Sequence, residues 1–210
     1  MTVAIMKEVS ELDIYKQIQL YNALKKNIKS QEKQLENQKF SPKFIFYMNT
    51  LTPQSYGQRI ERKVGEFFKW ASNLPSLGKG DFHTSDDKDI EFKTSLINNK
   101  SQRMNLVQIR LWEQTDYLCV AFRLMDGKVH LFPFYLTHEQ MEKEVELLGT
   151  AAHGGKKIAD GNANTESSIR FKISKNDDTF VRWFNMYRTD LFDKKAKGFV
   201  IPKTLEEVMF

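Results

Sequence analysis

Apolar positions along this chain follow two periods, and the change between them divides it. From residue 10 to 28, Leu12, Tyr15, Ile18, Tyr21, Leu24 and Ile28 recur at helical spacing, and Ser10 with Asp13 resembles a capping box. Residues 29 to 40 lose that period and are rich in Gln, Lys and Glu, as in an exposed helix or linker. Phe44 to Met48 is a short apolar run that suits either strand or helix. Thr52 as N-cap and Pro53 at the first helical position open another helix. Ile60, Val64, Phe67, Phe68 and Ala71 form its apolar stripe, and Pro75, Gly78 and Gly80 end it.

The middle third changes to the period of strands. Asp81 to Thr84 reads as one strand, Ser85 to Lys88 as a turn and Asp89 to Ser95 as the returning strand. Leu106 to Leu111 is ambiguous between strand and helix. Tyr117 to Leu124 is a strand that turns at Asp126-Gly127 into Lys128 to Phe134. Thr137 to Leu148 is a helix with a Thr137/Gln140 capping box. Residues 150 to 168 read as loop, Ile169 to Ile173 as a short strand and Thr179 to Asp190 as a helix carrying Phe180, Trp183, Phe184 and Tyr187. The aromatic residues of that helix suit core or dimer packing. These elements imply an α/β or α+β fold, a central mixed β-sheet flanked by helices. Residues 1–210 read as one domain, with 1–40 a helical N-terminal extension.

Composition narrows the picture a little. The chain has 210 residues and 40% hydrophobic positions, enough for a core without staples. Its formal net charge of +5 favours an anionic partner without naming one. The single cysteine, Cys119, lies in an apolar run and reads as a buried thiol, which excludes a disulfide framework and a cysteine-cluster zinc site. The four histidines lack zincin spacing. Lys7, Glu8, Glu11 and Asp13 break any signal-peptide stretch, and no apolar run is long enough to cross a membrane, so a cytoplasmic protein is the expectation. No G-x-x-x-x-G-K-[ST] loop occurs, so no nucleotide cofactor is expected.

The stretch with chemistry in it is Gly80 to Lys93. On the second strand of this hairpin, alternation places Asp89, Glu91 and Lys93 on one face and Ile90 and Phe92 on the other. The hairpin returns Asp81 beside that strand, where its carboxylate and that of Glu91 can hold one cation. Mg²⁺ takes oxygen ligands, few of them from protein, and polarises a phosphate while lowering the pKa of a bound water. A lysine two residues from the glutamate can orient that water and neutralise phosphate charge. Asp86, Asp87 and Asp89 are alternatives for the first carboxylate. Asp81 is preferred because a neighbouring strand lets two carboxylates converge from different directions. The bland alternative is an exposed hairpin with a solvated Glu91–Lys93 pair.

Asp81, nine intervening residues and Glu91-Phe92-Lys93 resemble the PD-(D/E)xK motif of type II restriction endonucleases and their mismatch-repair nicking relatives. The resemblance covers residues 55–125, which would be the catalytic core. It implies a restriction-endonuclease-like fold, with Asp81 and Glu91 as metal ligands and Lys93 as catalytic lysine. The family often adds a glutamate from the preceding helix, a place that Glu61 fits, with Glu66 as competitor. The family's leading proline is absent, since Gly80 precedes Asp81.

For DNA contacts, the loop with Lys156, Lys157, Asn162 and Asn164, followed by Arg170, has residues suited to phosphates and base edges. It suits a plain basic surface loop equally well. Lys100 and Arg103 form a second candidate patch. Three functions follow. The first is a Mg²⁺-dependent, sequence-specific double-stranded DNA endonuclease acting as a homodimer. The second is a nicking or repair nuclease with the same site, and the third a DNA-binding module without catalysis.

Overall fold

The computed structural model describes residues 15, 16, 18, 19, 22, 39–44, 53–73, 79–97, 101–151, 166–193 and 197–208. The chain divides into two compact units, Met1–Thr52 and Pro53–Phe210. In the first, Tyr15, Lys16, Ile18, Gln19 and Asn22 are helical and exposed, so the two described members of the first apolar stripe face outward. Residues 42–44 form a helical turn in which Ser41 Oγ accepts from Phe44 N, and the rings of Phe40 and Phe44 stack. Ser10, Asp13, most of the 29–40 segment and 45–48 lie outside the described residues.

The second unit opens with α1 (Pro53–Phe68), and Pro53 takes its first position as expected. The helix stops earlier than the glycines and proline suggest. Lys69 turns left-handed (φ 60°) and Trp70 N donates to Gly65 O at 3.1 Å, a Schellman stop. Trp70 then stacks on Phe68 and packs against Phe82. Ala71, expected in the helical stripe, is instead exposed in β1 (Ala71–Ser72). Two strands follow, β2 (Phe82–His83) and β3 (Asp89–Leu96). The ambiguous segment is a strand, β4 (Arg103–Ile109), ending in a short 3-10 turn at Leu111–Glu113.

The hairpin β5 (Asp116–Met125) to β6 (Lys128–Leu136) turns on Asp126 and Gly127, both at positive φ, which matches strand twist. Next comes α2 (His138–Leu148), whose Thr137/Gln140 capping box is formed. After it come β7 (Thr150–Ala151), β8 (Ser167–Lys172), α3 (Asp178–Tyr187) capped by Asp177, and β9 (Phe199–Val200).

One sheet has the order β1-β2-β3-β5-β6-β9, with β3 parallel to β5 and β6 parallel to β9; the other pairs are antiparallel. A second, antiparallel sheet runs β4-β8-β7. The fold is therefore mixed α/β, with a curled mixed sheet flanked by helices. Nearly every residue of β5 is buried, because both its faces are covered. Tyr117, Cys119 and Ala121 pack with β4, β6, β8, α2 and α3. Leu118, Val120 and Phe122 pack with Phe82, Ile90 and Phe92 and with Val64 of α1. Among the described residues no helix is long and apolar enough to cross a membrane.

Candidate functional site

Asp81 is fixed by its backbone before its side chain does anything. Gly80 adopts φ +71°, and a Cβ there would lie 2.8 Å from the carbonyl of Ile90. Proline, locked near −65°, could not take that conformation. Asp81 N donates to Ile90 O (2.9 Å), and Asp81 O accepts from Asn73 N (2.9 Å). β2 pairs with β3 only at Asp89 and Ile90. The next edge donor, Phe92 N, therefore bonds to Asp81 Oδ2 at 2.8 Å instead of to a longer strand. The shortness of β2, expected to run from Asp81 to Thr84, is thus what frees the edge of β3 for a carboxylate.

Alternation along β3 does the rest. Ile90 and Phe92 enter the core, while Glu91 and Lys93 face the opposite side. Parallel register sets Glu91 beside Tyr117 and Lys93 beside Cys119 on β5. Both are nearly enclosed, with 7% of the Glu91 and 13% of the Lys93 side chain exposed, and Lys93 Nζ donates to Glu91 Oε1. That is a buried pair, not the solvated one a surface hairpin would give. α1 lies close over this edge because Gly65 leaves room for the Phe82 ring, which a Cβ would meet at 2.6 Å.

Electrostatics join four residues into one set. Burial holds the Glu91 carboxyl above its ordinary range; Lys93 opposes that and Asp81 adds to it. Burial also raises Asp81, the Phe92 N–H opposes, Glu61 raises it further, and Glu91 lies within hydrogen-bonding reach. Glu61, half-buried on α1, is raised by burial and then by Glu91. Burial and neighbouring negative charge thus penalise ionisation of three carboxyls, and one lysine only partly offsets this. A hard cation held by Asp81 and Glu91 would relieve that penalty, so the donor set fits Mg²⁺. Among the described residues no three acidic, histidine or cysteine side chains form a ready-made metal cluster. The candidate ligand set is the Asp81–Glu91 pair, on which Glu61 acts through charge.

No protein-family model matches the chain. No curated protein is similar to it. The site accordingly rests on its own geometry.

The competing carboxylates go elsewhere. Asp89 accepts from Asn73 Nδ2 and pairs with His83 Nδ1 at 2.9 Å; His83, the imidazole hydrogen-bonded to it, holds it below the usual range. Asp86 and Asp87 are exposed in the turn, and Glu66 is a surface partner of Lys63 and Arg62. Cys119 is wholly buried, and burial pushes its thiol up, as for an inert core residue.

Of the DNA-contact candidates, Lys100, Lys156, Lys157, Asn162 and Asn164 lie outside the described residues. Arg103 and Arg170 are exposed on neighbouring strands, β4 and β8. Two further residues stand near the site, Arg110 and Ser95. Arg110, bonded to Glu166 at 3.0 Å, lowers the Glu91 pKa through charge. Ser95 accepts from Asn105 N at 2.8 Å and so ties β4 to β3.

Proposed function

We propose that this protein is a Mg²⁺-dependent endonuclease that hydrolyses DNA phosphodiester bonds. One observation carries the reading: a part-buried Asp81 and a buried Glu91 converge at a strand edge with Lys93 on the same face as Glu91. Asp81 and Glu91 would hold the cation. When bound, it supplies Lewis acidity toward a phosphoryl oxygen and a water acidic enough to attack. Lys93, on the same face as Glu91, would orient the attacking water and neutralise charge on the phosphate. Glu61, on α1, would add negative charge beside the pair. A restriction-endonuclease-like core and a type II restriction enzyme's homodimer cutting both strands belong to the same proposal, by resemblance of the Asp81, Glu91 and Lys93 pattern.

The test is purified protein with sequence-diverse supercoiled DNA, with and without Mg²⁺, beside Lys93→Ala. Discrete fragments that require Mg²⁺ and fall by about 10²–10⁴-fold in rate in the variant are expected. Nicked circles without linear product would replace double-strand cleavage with nicking. Absence of cleavage with both Mg²⁺ and Mn²⁺, or equal cleavage by Lys93→Ala, would overturn the reading.

A further inference from the structure

The second sheet carries a feature that the catalytic reading leaves unused. In β4 and β8, Met104, Leu106, Ile169 and Phe171 turn inward to the core. The alternate residues turn outward together: Arg103 lies opposite Lys172, and Asn105 opposite Arg170. Arg170 Nε donates to Asn105 Oδ1 at 3.1 Å, which steadies the guanidinium over the strand pair. Arg103 and Lys172, both exposed, are like charges directly across a strand pair, an arrangement that destabilises a sheet. Among the described residues neither forms an ion pair. The carboxylate of Asp177, whose Oδ2 lies by the Lys172 backbone, accepts from two backbone groups, Phe180 N and Lys172 N.

We propose that the outer face of β4 and β8 docks duplex DNA, with Arg103 and Lys172 sharing a backbone phosphate and Arg170, held by Asn105, beside them. A shared phosphate converts the repulsion of the facing pair into attraction, and a row of cations along a strand pair suits a polyanion better than a single small anion. Strands can present such side chains to a groove of duplex DNA. The face is joined to the catalytic edge: Asn105 N bonds Ser95 on β3, and Arg110, just past the end of β4, lies within electrostatic reach of Glu91. Arg103 opens β4 and Arg110 follows its end, so the face would contact DNA to one side of the bond cut. That last relation rests on the endonuclease reading; the docking itself does not.

The experiment is fluorescence anisotropy of a labelled DNA duplex with the full chain in EDTA, over a range of salt concentrations. Wild type, an Arg103→Ala/Lys172→Ala double variant, Arg170→Ala and a distant control, Lys128→Ala, are compared. The double variant is expected to bind at least about tenfold more weakly, with the slope of log affinity against log salt shallower by about two. Its melting temperature should be unchanged or higher, because a repulsive pair is removed. Unchanged affinity and slope in the double variant, an equal loss in Lys128→Ala, or preferential binding of an RNA duplex would each overturn the proposal. The two readings fail separately. Lys93-dependent cleavage with unaltered binding by the double variant removes the docking face and keeps the site. A lost salt slope without cleavage under any condition removes the site and keeps the face.

Discussion

Two glutamates in this fold are almost equally buried and have opposite surroundings. Glu144, on α2, accepts both guanidinium arms of Arg182, Nε1 of Trp183 at 2.8 Å and the hydroxyl of Tyr187 at 2.9 Å, all from α3. Glu91, on β3, has Lys93 as its hydrogen-bond donor and lies beside a second carboxyl, Asp81. Each oxygen of Glu144 has two donors and the local charge balances, as a structural buried carboxylate requires. At Glu91 the charge does not balance, and a fold gains nothing in stability from placing two carboxyls together at a strand edge. The contrast separates a clamp from a site: burial alone marks neither, while the sign of the neighbours distinguishes them.

The largest expected effect breaks the clamp. Glu144→Ala removes the common acceptor of three side chains, two of them within the core, and should destabilise the protein by about 3 kcal/mol. The urea midpoint should fall with little change in slope. The same measurement on Glu91→Gln should show no comparable loss. If both variants lose equal stability, the distinction between the two glutamates is wrong.

Second in size is the backbone that aims Asp81. Gly80→Ala forces a Cβ into the left-handed region and against the Ile90 carbonyl, and should cost about 2 kcal/mol. Because Gly80 adjoins Asp81, Mg²⁺-dependent cleavage should fall further than the loss of folded protein explains. A Gly80→Ala protein with wild-type melting temperature and activity would show that the turn is not what positions Asp81.

What could be read in advance depended on range. The Thr137/Gln140 capping box, the Asp126-Gly127 turn and the alternation from Asp89 to Lys93 are each set within a few residues, and each is found in the fold. The convergence of Asp81 with Glu91 was legible because a turn four residues long leaves few ways to return. The end of α1 was not, since Lys69 is left-handed only where Trp70 can pack on Phe68 and Phe82. Nor was the pairing of β4 with β8, whose partners Asn105 and Arg170 are far apart in sequence and meet through two strands' shared burial. The cationic pair of Arg103 and Lys172 depends on that register, so a one-residue slip would have erased it.

The smallest effect is the most specific to the contrast. Asp81, Glu91 and Glu61 all have carboxyl pKa values raised, first by burial and then by one another. A raised folded pKa contributes stability that is complete below the unfolded values, near 4, and is lost as pH rises through the higher folded values. Without divalent cation, the protein should therefore gain stability as pH falls through the raised folded values toward the unfolded ones. The gain reverses in stronger acid, where Asp89, held low by the His83 hydrogen bond, loses the stability it supplies above its folded pKa. Asp81→Asn should raise stability above the folded pKa values and flatten the profile. Added Mg²⁺ should flatten it in wild type and do little in the variant. Urea midpoints followed by tryptophan fluorescence in EDTA and in Mg²⁺ give all four curves. Identical profiles for wild type and Asp81→Asn would mean that the carboxyls do not repel, and the set at the edge of β3 would then be as well satisfied as Glu144.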